Sequence, residues 1–174
     1  MVVATVIVLA GMAAADLYVR NVELRGLVTA AESAAEAVGG WGADRDRIMS
    51  DLPGAFYQTP QQRRDTERQL RRAAADATMS LTDVAAGLRD VRAALPWHRQ
   101  VDHVRDRHLD HIEAWTARLR RVARDPSTLS EPTPEIAATR SASAQAFRAA
   151  LPPVALYGLD DRVEAVFDEQ PAAG

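Results

Sequence analysis

The chain has 174 residues, a net charge of −3, and 21 arginines with neither lysine nor cysteine. That length suits one domain with a sizeable core. The missing cysteine excludes disulfides, thiolate catalysis and thiolate metal ligands, and the acidic balance argues against nucleic acid as a partner.

Val2 to Ala15 form an unbroken apolar run at the N-terminus. It is shorter than the roughly 20 residues of a spanning helix, but extending it through Asp16 to Val22 supplies the length, with Arg20 able to snorkel. Three readings stand: a signal-anchor, a signal peptide cleaved after Ala13-x-Ala15, and a buried core helix. No basic residue precedes the run, and Arg20 and Arg25 follow it, which by the positive-inside rule favours a cytoplasmic domain. The expectation adopted is a single-pass anchor over residues 1–22 with the remainder outside the cytoplasm, and secretion after cleavage near Ala15 as its alternative.

Beyond the run, helical periodicity is sustained and no stretch alternates like a strand. Leu17, Leu24, Ala31 and Val38 recur every seventh residue, with Asn21, Val28 and Ala35 between them. This reads as helix 1 continuing out of the apolar run until Gly39-Gly40 stops it. Residues 41–59 then form a long connection, carrying a short helix around Arg47 to Leu52 or a structured loop. Thr59-Pro60 opens helix 2, with Thr59 as N-cap and Gln62 placed for a capping box.

Helix 2 is expected over Pro60–Leu95. Ala74, Leu81, Leu88 and Leu95 occupy one heptad position and Leu70, Ala77, Val84 and Val91 its partner, a pattern that favours coiled-coil-like packing. Pro96 is either a kink or a hairpin. Helix 3 follows over Trp97–Arg124, and Asp125-Pro126 ends it before the loop STLSEPT. Helix 4 opens at Thr133-Pro134-Glu135 and runs to Leu151, with a weaker stripe of Ile136, Ser143, Phe147 and Ala150. Asp160 is placed to cap a last short helix carrying Val163, Val166 and Phe167. The expected fold is all-α, an antiparallel bundle of about four helices over residues 23–169 with a frayed tail at 170–174. It resembles the extracytoplasmic helical-bundle domains of bacterial sensors and envelope proteins, in architecture and through no specific motif.

All four histidines, His98, His103, His108 and His111, lie within one stretch of helix 3, interleaved with Asp102, Asp106, Asp110 and Glu113. Imidazole and carboxylate are metal-ligand types. At about 100° per residue, however, His108 centres the apolar face and His111 borders it, while His103, Asp106 and Asp110 point the other way. The eight groups therefore cannot converge on one ion. Neither HExxH nor paired Glu-x-x-His occurs. Trp97 and Trp115 share the face of His108, so the candidate ligand-binding residues are Trp97, His108, His111 and Trp115. A buried imidazole there either contacts a ligand, responds to pH, or bonds locally at the edge of the core.

The basic run Arg63, Arg64, Arg68, Arg71 and Arg72 is offset by Asp65, Glu67 and Asp76 and reads as a solvated face. No phosphate loop, nucleophile elbow or catalytic carboxylate pair is present, so no enzyme and no cofactor are expected. The functional expectation is a non-catalytic interaction or scaffolding protein of the cell envelope, self-associating through helix 2 or holding an envelope partner. Its alternative is a sensor-like bundle binding a small ligand or metal around His108.

Overall fold

The structure, a computed structural model, describes residues 2–51 and 59–168. The elements are α1 (Val2–Ser50), α2 (Pro60–Asp90), α3 (Arg99–Arg124), a 3-10 turn (Pro126–Ser130), α4 (Pro134–Ala150) and α5 (Leu159–Asp168). No strand occurs among the described residues, and the chain is a helical bundle.

α1 departs most from expectation, because it does not stop at Gly39-Gly40. Leu27, Ala34, Trp41 and Ile48 are all buried and recur every seventh residue, a stripe that crosses the glycines. Gly39, Gly40 and Gly42 each cost a helix interior about 1 kcal/mol relative to alanine. Burying Trp41 and Ile48 contributes about 2–3 kcal/mol apiece, which is enough to keep the backbone helical. Neither Gly39 nor Gly40 takes the positive φ of a terminating glycine. Residues 41–50 of the expected connection thus belong to α1, and 52–58, like the tail at 169–174, lie outside the described residues.

The single-pass membrane localisation is also corrected. Among the described residues no helix is long and apolar enough to cross a membrane. Within Asp16–Val22, the stretch that would lengthen the apolar run, Asp16, Arg20 and Asn21 are spent on polar contacts within the bundle. Arg20 donates from Nε and Nη2 to the Ala150 carbonyl at 3.1 and 2.7 Å. Asn21, fully buried, donates from Nδ2 to the Val154 carbonyl at 3.2 Å and accepts from the Leu156 N–H at 2.7 Å. The Ala13-x-Ala15 pattern falls inside the same continuous helix.

Thr59 caps α2 as its sequence requires: its hydroxyl accepts from the Gln62 N–H at 3.2 Å while the Gln62 side chain accepts from the Thr59 N–H at 2.8 Å. Leu70, Ala74, Ala77, Leu81, Ala85 and Leu88 are buried along one face. α2 ends at Asp90 rather than Leu95, with Val91 extended at its C-cap, and Pro96 bars the helix from resuming at Leu95. The freed backbone groups find other partners. The Ala94 N–H donates to Glu23, and the Val91 carbonyl accepts from Arg105 at 2.7 Å.

Pro96 therefore sits in a hairpin, and α3 returns along α2, bringing Arg71 near Asp125. α4 reverses again along α3, with Arg121 donating to Glu135 at 2.9 Å and His108 Nδ1 lying 3.0 Å from the Ser143 hydroxyl. α5 closes the open side, its Arg162 held by Glu32 of α1 at 2.6 Å. It begins at Leu159, so Asp160 lies in its first turn rather than at its cap. Tyr157 and Gly158, at φ 63° and 61°, make the preceding turn.

Asn21 holds that turn-bearing segment to α1 through two backbone groups. Replacing it leaves a buried donor and acceptor unpaired. Asn21→Ala is expected to lower stability by about 1–3 kcal/mol, read as a fall in the urea midpoint at unchanged slope. A loss below about 0.5 kcal/mol would show that water replaces both bonds.

Candidate functional site

Of the four residues singled out in the sequence, three come together. His108 is buried on α3, its ring edge-on to Phe147 at 5.7 Å and to Phe167 at 6.5 Å. His111 lies 6.1 Å from it, ring to ring. Thr139 donates its hydroxyl proton to the Glu135 carbonyl, so it accepts from His111 Nδ1, 3.2 Å away. Trp115 lies one turn further along α3. These three residues border a void of about 10 Å³ between α1, α3 and α5, close to the space one water occupies. His108 Nε2 and Trp115 Nε1 are both buried without a hydrogen-bond partner.

Burial drives the His108 pKa from 6.5 down to about 3, helped by the adjacent His111. Burial and the Arg140 charge take His111 to about 4. Both rings are neutral at neutral pH, and neither titrates in the physiological range. His103, Asp106 and Asp110 are exposed on the far side of α3. Among the described residues no group of three His, Asp or Glu side chains is arranged to hold a metal ion.

Trp97 is elsewhere. It precedes α3, is 67% exposed, and donates from Nε1 to Asp16 at 2.6 Å. Its neighbour His98 is buried between two carboxylates, Nδ1 2.6 Å from Glu23 and Nε2 3.0 Å from Asp16. Hydrogen bonds from Trp97 and His98 hold the Asp16 carboxyl below its ordinary value. This clasp ties the hairpin to α1.

The roomy part of the molecule lies on the other side of Trp115. A cleft of about 810 Å³ is bounded by the C-terminal part of α1, the second half of α3, the 3-10 turn and the start of α4. Ligand pockets commonly span about 300–1,000 Å³. Trp41 and Trp115 supply aromatic surface, Val122 and Leu129 aliphatic surface, and Gly39 and Gly42 an open stretch of the α1 wall. Trp115 borders both this cleft and the void beside His108.

One charged group in that wall is buried. Arg118 is 6% exposed. Its Nη2 donates to the Leu129 carbonyl at 2.6 Å and the Glu131 carbonyl at 3.3 Å, fixing the guanidinium against the 3-10 turn. Its Nη1 is buried and has no hydrogen-bond partner. The nearest carboxylate oxygen, Glu131 Oε2, is 3.7 Å from it, too far for a hydrogen bond. Burial holds the Arg118 pKa below its ordinary value.

Sequence reasoning missed Trp41 and Arg118. Trp41 continues the Leu27–Ala34 spacing, and Arg118 follows His111 by seven residues on a face that is otherwise apolar, so both signals were present. No protein-family model matches this chain, and neither a curated protein nor a solved structure is significantly similar to it.

The buried histidines make stability depend on pH with a definite sign. Their folded pKa values lie below the unfolded value, so the unfolded chain takes up protons first. The stabilisation is complete above about pH 6.5 and is lost as pH falls toward the folded values. At pH 5 the difference is worth about 2 kcal/mol per histidine. Denaturant midpoints measured from pH 7.5 to pH 5 are expected to fall, and to fall less in His108→Gln by that amount. Equal slopes in the two chains would mean that His108 takes up its proton without unfolding.

Proposed function

We propose that this chain is a non-catalytic binding protein, a helical bundle that takes a small organic molecule into the cleft between Trp41 and Trp115. The observation that carries the reading is the composition of the α1 wall. Gly39 and Gly42 face the cleft, and no atom outside the local helix lies within 4 Å of where a Cβ would stand at either position. The packing of the bundle therefore does not require glycine there, and each weakens the helix by about 1 kcal/mol. What glycine does provide is open wall opposite Trp115.

This reading keeps Trp115 from the ligand-binding expectation and moves the centre of the site from His108 to the cleft. A scaffolding role through self-association on helix 2 has less support. Leu70, Ala74, Ala77, Leu81 and Leu88 are already buried within one chain, which leaves no free apolar seam on α2 for a second copy.

The test uses N-phenyl-1-naphthylamine, a neutral probe that brightens in apolar surroundings. The native chain is expected to bind it and to transfer excitation from its tryptophans. The double substitution Gly39→Ala, Gly42→Ala should raise Tm through better helix propensity and weaken the probe by about tenfold, equivalent to about 1.4 kcal/mol. Gly40 does not border the cleft and also has room for a Cβ, so Gly40→Ala should raise Tm and leave binding unchanged. Equal binding by the native chain and both variants would contradict the assignment.

A further inference from the structure

Resting on the reading of the cleft as a binding site, we propose that its ligand is an amphipathic organic monoanion, whose oxyanion head docks on Arg118 Nη1 while its apolar body lies between Trp41 and Trp115. Arg118 brings a buried positive charge into a wall shared with Trp41, Trp115, Val122 and Leu129. Its Nη2 is committed to two carbonyls of the 3-10 turn. Those carbonyls orient the guanidinium but do not neutralise it, and Nη1 remains as a buried donor without a partner. A buried charged donor is satisfied best by a charged acceptor.

Glu131 is the resident counter-charge. Its carboxylate stays 3.7 Å from Nη1 and its side chain is 56% exposed, so it stands beside the donor, mostly in water, without closing a hydrogen bond. An incoming oxyanion with a dry apolar body is held more firmly than this exposed side chain and displaces it from Nη1. The neighbouring charges limit the head to one negative charge. Arg45 is neutralised by Asp46 at 2.8 Å, and Arg121, next to Arg118 on α3, by Glu135 at 2.9 Å. Arg118 is thus the single cation lining the cleft without a hydrogen-bonded carboxylate among the described residues, and its one charge matches one anion.

The test pairs the neutral probe with its anionic relative, 8-anilinonaphthalene-1-sulfonate, in titrations followed by fluorescence. Glu131→Gln alters an exposed side chain and leaves the backbone carbonyl that holds Arg118, so it is expected to fold. It should tighten the sulfonate by about fivefold and leave the neutral probe unchanged. Arg118→Met should weaken the sulfonate by at least about tenfold while the neutral probe still binds. If that variant does not fold, Glu131→Gln and the salt dependence of sulfonate binding decide the matter. Both probes should weaken together in the Gly39→Ala, Gly42→Ala chain, which ties the signal to the cleft. Binding of the neutral probe, with no response of the sulfonate to Glu131→Gln, would overturn the anion assignment and leave the cleft standing. Binding of neither probe would remove the cleft reading and this inference with it.

Discussion

Trp41 and Ile48 lie one and two heptads beyond Ala34, and their burial carries α1 through Gly39, Gly40 and Gly42. The balance is close, because three glycines oppose two large apolar side chains. Much else depends on which side prevails. A helix ending at Gly39 would leave Trp41 without a fixed direction, and the second half of α3 would face no wall. With α1 continuous, Trp41 lines the same cleft as Trp115, together with Gly39, Gly42 and residues of the 3-10 turn. The cleft depends on helix continuity together with the connection between α3 and α4.

The polar groups divide the bundle by height. At one end Asn21, Arg20, Glu23 and Asp16 bind the segments that join α2 to α3 and α4 to α5. These contacts fix the hairpins by hydrogen bonds to backbone groups that have no helical partner. Midway, His108 and His111 sit neutral in the core, each with one ring nitrogen bonded to a hydroxyl of α4. Beyond them, Arg118 fastens the 3-10 turn. Among the described residues no buried side-chain nitrogen or oxygen at the first end lacks a partner. Further along, the unpartnered atoms collect: His108 Nε2, Trp115 Nε1 and Arg118 Nη1. Two of them, His108 Nε2 and Trp115 Nε1, belong to residues that border the water-sized void, and each unsatisfied buried group costs the fold stability.

Much of the fold was legible in the sequence because its signals are local. The Thr59–Gln62 capping box, the apolar stripe of α2 and the proline starts of α2 and α4 are each written in a few adjacent residues. Three things were less legible. Gly39-Gly40 has the composition of a helix stop, and only the tertiary burial of Trp41 overrides it. Residues 16–22 match the hydropathy of a lengthened apolar segment, yet Asp16, Arg20 and Asn21 are the residues that bind the distant loops, contacts across more than 80 positions of sequence. Trp97 has the right spacing to share the face of His108, but Pro96 places it ahead of the helix, so the face does not extend to it. In the sequence Trp115 and the histidines stand out by their helical spacing, whereas Arg118, although it keeps the seven-residue spacing from His111, is distinguished from 20 other arginines only by its burial.

The continuity of α1 is tested most directly by native-state hydrogen exchange at the amides of residues 40–48, in the wild-type chain and in Trp41→Ala. The account predicts protection comparable to that of residues 24–34 in the wild type, and its loss from 40–48 alone in the variant. Fast exchange of residues 40–48 in the wild-type chain would contradict it. The helix would then end at the glycines, and the cleft would lose the wall that carries Trp41.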